Sequence, residues 1–117
     1  LEHMLRFILR EEAFLGEHTE FYQFSHGMQI IWSRKEQTFR KLSLNDQPIE
    51  EHQLYSIALA KHHSMNISDF IDIPLEETKK NALPRVLATS SRDIVEEYMM
   101  VTPHLCREVE GRLVVVD

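Results

Sequence analysis

YSIALAKHHSMNISDF, residues 55–70, is the stretch of sequence on which the predicted fold depends. Over its first half, apolar side chains alternate with smaller or polar ones, which is the period of two expected of a half-buried strand, here Leu54–Lys61. The second half is polar and leads into a short apolar segment that stops at Pro74. Ligands commonly bind where a buried strand ends, and His62 and His63 are adjacent at this point.

An amphipathic helix and three short strands are predicted ahead of this stretch. Apolar residues recur at three- and four-residue steps over residues 1–13, as on one face of a helix. Strands are predicted at Glu20–Ser25, Met28–Ser33 and Thr38–Leu44, the last two as an antiparallel hairpin. Asn45–Pro48 has the composition of a turn.

Helices predominate in the remainder of the chain. Pro74 and the acidic residues after it predict a short helix over residues 75–80, and Val86–Ala88 is predicted to be extended. A serine cap at Ser90 or Ser91 predicts a second helix that runs to about Val101. Its buried stripe is predicted to consist of Ile94, Val95, Tyr98 and Met99.

The fold class that follows is α+β, with a mixed or antiparallel sheet and helices packed on it. Leu113–Val116 is predicted to be the terminal strand of that sheet. The 117 residues suffice for a single domain, residues 1–117, with one modest core.

Composition excludes several functional classes. The net charge of −6 and the absence of a basic patch argue against nucleic-acid binding, and no apolar run is long enough to span a membrane. A lone cysteine, Cys106, excludes an internal disulfide and is interpreted as a packing residue. Seven histidines and nineteen acidic residues occur without the H-E-x-x-H spacing of a zinc site, so we expect no metal site in this chain.

Four segments match patterns that occur in the same order in a known family. Residues 55–70 match a motif of the form Y-x-V-A-x-N-x-(Y/F)-L-A-x-G-G-D-G-(F/Y) at four positions, namely Tyr55, Ile57, Ala58 and Phe70. Leu44–Ile49 matches a V-N-G-x-P-L turn, Arg92–Tyr98 an R-D-A-L-x-E-Y-L helix, and Glu108–Leu113 a V-E-G-R-I segment. On these segments the chain resembles the later part of the C-terminal domain of the 5'-nucleotidase / UDP-sugar hydrolase family.

The resemblance implies the substrate-recognition domain of a bacterial 5'-nucleotidase-like metallophosphoesterase, an enzyme that hydrolyses nucleotide phosphate esters. In that family a separate N-terminal metallophosphatase domain holds divalent metal ions (Mn, Zn, Mg or Co) that activate water. The G-N-H-(E/D) signature of that domain does not occur here, so we expect no catalytic residue in this chain. The partners implied are a nucleotide or nucleoside substrate and the metallophosphatase domain.

The resemblance also carries over candidate binding residues. His62 stands where the family has an aromatic residue that stacks on the base, although imidazole is a smaller ring. Asn66, Ser68 and Asp69 stand in or beside the place of G-G-D-G, where Ser68 or Asp69 would accept a hydrogen bond from base or ribose. Phe70 matches the last aromatic of the motif.

Each candidate also has an interpretation without a ligand. His62 would then be an exposed strand-end histidine, Ser68-Asp69 a cap for the following helix, and Phe70 a core aromatic. Ile67 replaces a family glycine, which removes the close backbone approach that glycine allows. The alternative function is therefore a non-catalytic binding or assembly module that has lost nucleotide recognition.

The start of the chain suggests a further expectation. The sequence begins at Leu1 rather than Met, so its first residues are either a cloning remnant or the middle of a helix, and the apolar position of Leu1 favours the helix. A helix cut off from the surface that it covers would drive the formation of a homodimer or a domain swap.

Overall fold

The computed structural model describes residues 1–15, 22–81 and 85–117. Within them, a mixed four-stranded sheet is accompanied by five α-helices, so the predicted α+β class is confirmed. The strands are β1 (Met28–Ser33), β2 (Thr38–Leu44), β3 (Gln47–Pro48) and β4 (Leu113–Val116). The helices are α1 (Glu2–Ile8), α2 (Lys61–Met65), α3 (Ile67–Ile71), α4 (Leu75–Asn81) and α5 (Ser91–Val101). None of these helices is both long and apolar enough to cross a membrane.

The central hairpin forms as predicted. β1 and β2 pair antiparallel from Met28↔Leu44 to Ser33↔Thr38, with a bulge at the Ile31/Trp32 step of β1. The bulge keeps the aromatic rings of Trp32 and Phe39 paired, with centroids 4.7 Å apart.

The predicted turn after β2 is confirmed in its first two residues. Asn45 and Asp46 both have positive φ, 51° and 63°, as two-residue hairpin turns require, so the chain reverses at once into β3. Gly27, which precedes β1 and lies opposite Asn45, has φ of 84°, and a Cβ there would collide with Asn45 Oδ1. A glycine is therefore needed beside this turn.

The predicted strand Leu54–Lys61 is wrong, because residues 54–60 have neither helical nor strand structure. The side chain of Leu54 is 98% exposed, and the Tyr55 hydroxyl instead accepts a hydrogen bond from Glu50 N at 2.9 Å, which closes a local loop. The strand that precedes this segment, the edge strand β3, is only two residues long, and Pro48 in it has no N–H to donate to another strand.

β4 takes the free edge of the hairpin. It pairs parallel with β1, from Ile30↔Leu113 to Ser33↔Val116, which gives the strand order β3-β2-β1-β4. The bounds of this strand are those predicted from the sequence.

The core lies on one face of the sheet, under α1 and α3. Its buried hydrophobic side chains are those of Met4, Leu5, Ile8, Leu9, Met28, Ile30, Trp32 and Phe70. The apolar face of α1 is therefore covered within the chain, and the premise of the dimer expectation, an uncovered first helix, is wrong.

The end of α1 and the predicted strand before β1 differ from the sequence prediction. α1 ends at Ile8 rather than near residue 13, because the chain becomes extended at Arg10, whose Nη1 donates to the Phe7 carbonyl at 2.6 Å. In the predicted strand Glu20–Ser25, residues 22–25 are irregular, and Glu20 and Phe21 lie outside the described residues.

α5 begins and ends where the sequence predicts, but its apolar stripe is not buried. The Ser90 hydroxyl accepts a hydrogen bond from Asp93 N at 3.2 Å and caps the helix as expected. The stripe consists of Ile94, Val95, Tyr98 and Met99, which are 41–55% exposed. We refer to these four side chains as the α5 stripe.

Candidate functional site

His62 lies in the first turn of helix α2 and not at the end of a strand. Its side chain is exposed, whereas that of His63 is half-buried. The two rings meet nearly edge to face, with centroids 5.7 Å apart and planes at 64°.

A chain of aromatic rings connects His63 to the core. The ring of His63 packs against Tyr22 at 5.3 Å and against Phe70 at 5.8 Å. Phe70 in turn packs against Phe7 of α1 at 5.1 Å and is only 6% exposed. Phe70 is therefore a core residue, and the interpretation without a ligand applies to it. His63 is thus packed into this aromatic cluster, and His62 is the exposed ring next to it.

Asn66 makes two contacts with His62. It is the residue at which α2 ends, and its backbone N–H donates to the His62 carbonyl at 3.2 Å. Its carboxamide Nδ2 lies 3.5 Å from His62 Nδ1 and 3.4 Å from His62 Nε2. The structure therefore brings together His62 and Asn66 of the predicted site.

Ser68 and Asp69 lie inside α3 and do not cap it. Asp69 N donates to the Asn66 carbonyl at 3.0 Å, and the Ser68 carbonyl accepts from Asp72 N at 2.9 Å. The carboxylate of Asp69 is exposed, and the Ser68 side chain is half-buried. Ile67, in the place of a family glycine, packs against the core and so anchors the start of α3.

The predicted residues lie outside the two main grooves of the surface. A groove of about 600 Å³ runs between α1, the segment before β1 and the segment before β4. A second groove, of about 440 Å³, is lined by His26, Tyr98, Arg107, Glu108, Glu110 and Arg112. Neither groove is lined by His62, Asn66, Ser68, Asp69 or Phe70. A ligand on His62 would therefore lie outside both of these grooves.

An ion-pair cluster ties together the segments that precede β1 and β4. Glu110 Oε2 accepts from Arg112 Nε at 2.8 Å and contacts His26 Nδ1 at 3.0 Å, while Arg112 Nη1 donates to the Phe24 carbonyl at 2.6 Å. The hydrogen bond from Arg112, followed by that from His26, lowers the pKa of Glu110 to about 2. Sequence analysis missed this cluster, although the acid-Gly-Arg spacing within Glu108–Leu113 was a usable signal.

This cluster predicts an acid-dependent loss of stability. Because its pKa is lower in the folded state, ionised Glu110 contributes stability above about pH 4.5, and that contribution is lost as the pH falls toward about 2. In Glu110→Gln the free energy of unfolding should fall less steeply as the pH decreases over this window. The reason is that the variant takes up fewer protons on unfolding, by up to about one proton. Urea titrations from pH 5 to pH 2.5 measure the slope, and Glu108→Gln is the matched control. Equal slopes for wild type and Glu110→Gln would contradict the prediction.

The chain has no match among protein-family models, curated proteins or solved structures. The family resemblance therefore depends on the four sequence segments. Within residues 1–15, 22–81 and 85–117, no group of three or more His, Cys, Asp or Glu residues is placed to hold a metal ion.

Proposed function

We propose that this chain is the substrate-recognition domain of a bacterial 5'-nucleotidase-like metallophosphoesterase. The observation that supports the proposal is the exposed imidazole of His62, which contacts Asn66 and His63, and the ring of His63 packs in turn against the buried ring of Phe70. An exposed aromatic ring at the surface is the feature that stacking on a nucleobase requires. It also stands at the position where the resemblance implies such a ring.

In this proposal each polar residue of the site has a limited task. The His62 ring stacks on the base, and the exposed carboxylate of Asp69 accepts a hydrogen bond from base or ribose. Ser68 is half-buried, so its hydroxyl is less accessible to a ligand than the carboxylate of Asp69. Hydrolysis of the phosphate ester belongs to a metallophosphatase domain with divalent metal ions, which supply the activated water.

Binding of nucleosides by the chain tests the recognition step. We expect adenosine or uridine to shift the His62 ring resonances in NMR titrations. Replacing His62 by Ala should weaken binding about three- to tenfold, toward the lower end of the ~1–3 kcal/mol of a base–aromatic stack. His62→Phe should strengthen it, because the larger ring overlaps more of the base.

His52→Ala is the matched control for this titration, because His52 is exposed in a turn away from α2. The same nucleotides are then offered to a longer protein that carries a G-N-H-(E/D) domain in the same reading frame, with Mn²⁺ bound. Phosphate release is expected from this longer protein and not from residues 1–117 alone. Saturating nucleoside without any response at His62 would refute the recognition role.

The α5 stripe and the position of the site favour a second candidate function. His62 lies outside both grooves, and the α5 stripe is an exposed apolar face of the kind that mediates association. In this alternative the chain is a non-catalytic binding or assembly module, and a homodimer through α5 is one form of it. Absence of nucleoside binding together with a concentration-dependent mass in sedimentation would favour this alternative.

A further inference from the structure

The carboxamide of Asn66 lies against the face of the His62 imidazole and not at its edge. A hydrogen bond in the plane of the ring reaches one imidazole nitrogen and leaves the other distinctly farther away. Here the Asn66 nitrogen is almost equidistant from both ring nitrogens, at 3.5 and 3.4 Å. In the plane of the ring, equal distances of this length occur only in front of Cε1 or beyond the Cγ–Cδ2 bond, and at both points the amide would overlap ring atoms.

We infer that Asn66 is a positioning residue that covers one face of the His62 ring, so that a planar heteroaromatic ligand stacks only on the other face. The amide N–H group directed at a ring face makes a weak but favourable contact. The four-residue spacing on α2 makes this contact possible, because residues i and i+4 are neighbours on a helix surface. This inference rests on the proposed function of the site.

The backbone fixes Asn66 independently of its side chain. Asn66 ends α2 with φ of −103°, its N–H donates to the His62 carbonyl, and its own carbonyl accepts from Asp69 N at the start of α3. The backbone of Asn66 is therefore held close to His62 by two helices that meet at this residue, which keeps the carboxamide within reach of the ring. The ring of His63 makes a second contact with His62, at a centroid distance of 5.7 Å and with the ring planes at 64°.

A ring held in this way lowers the entropy lost on binding. An exposed histidine without neighbours must give up its side-chain freedom when a base stacks on it, and this loss of entropy weakens binding. Asn66 removes part of that loss in advance. It also restricts the ligand to one-sided stacking, so the base keeps its second face and its edges available for another part of the protein.

The test begins without a ligand. In wild type, a nuclear Overhauser effect is expected between the Asn66 amide protons and the His62 ring protons, and ring relaxation should show restricted motion. Asn66→Ala should increase the mobility of the His62 ring. Ser64→Ala, an exposed substitution on the same helix, is the matched control and should leave the ring unchanged. Equal ring mobility in wild type and Asn66→Ala would overturn the inference.

Nucleoside titration then separates the inference from the proposed function. Asn66→Ala should weaken binding about three- to fivefold while the thermal midpoint stays at the value of Ser64→Ala. Binding equal to wild type would overturn the positioning role and leave the proposed function intact. Absence of a response at His62 in wild type would overturn the proposed function, and the inference with it. Restoration of ring order and affinity in Asn66→Gln, which keeps the carboxamide, would support the inference, whereas failure to restore either would count against it.

Discussion

Replacing Ile30 by alanine is expected to lower the free energy of unfolding by about 2–5 kcal/mol, the range for deleting a buried aliphatic side chain. Ile30 is 0% exposed at the centre of β1, between Leu42 on β2 and Leu113 on β4. The cavity would open in the middle of the sheet, where hydrogen-bonded strands on both sides prevent collapse. Because small domains are stabilised by only about 5–15 kcal/mol, the variant should have a markedly lower urea midpoint.

Ile31→Ala is the matched control for this prediction. It removes the same atoms from the next residue, which points to the other, less buried face of the sheet. The loss should therefore be clearly smaller than for Ile30→Ala. Equal losses at the two positions would mean that the sheet is covered on both faces, contrary to the described packing.

Phe70→Ala is expected to destabilise the fold by about 3–5 kcal/mol, as for other buried aromatic side chains. The ring of Phe70 joins α3 to Phe7 of α1 and to Tyr22 and His63, so its loss leaves a cavity beneath the proposed site. Chemical denaturation measures the effect on stability. Nucleoside titration of the variant, below its unfolding transition, measures the effect on the site.

His62→Ala provides the contrast that identifies the role of Phe70. His62 is exposed, so its substitution should change stability by no more than about 0.5 kcal/mol while it weakens nucleoside binding. For Phe70→Ala the larger effect should be on stability, and the smaller one on nucleoside binding. A stable Phe70→Ala protein that no longer bound nucleosides would instead assign Phe70 to the ligand-contacting surface.

Local signals predicted the elements of the fold that depend on local chemistry. The hairpin of β1 and β2, the Asn45–Asp46 turn and the Ser90 cap of α5 are each specified by neighbouring residues, and each is confirmed. The strand predicted over residues 54–61 failed because alternation becomes a strand only where a partner edge exists. Strand β3 does not provide such an edge, because it has only two residues and Pro48 has no backbone N–H to donate.

The remaining errors also concern tertiary partners. The amphipathic pattern of α5 predicted a helix correctly, but periodicity does not reveal whether another element covers the apolar side, and the α5 stripe is exposed. At the candidate site, Phe70 matched a motif and is buried in the core. The contact between His62 and Asn66 was not predicted, since it requires a helix where the sequence pattern indicated a polar turn after a strand.

The parallel pairing of β1 and β4 has a consequence for how the protein is made. Arg112 and Phe24, joined by a hydrogen bond where the two strands begin, are 88 residues apart in sequence. During synthesis, β1 and β2 leave the ribosome long before β4, so the outer edge of β1 stays open for the translation of most of the domain. Open strand edges pair readily with other chains, and contacts of such long range form slowly. The edge of β1 in the nascent chain is therefore open to pairing with other chains until β4 has emerged.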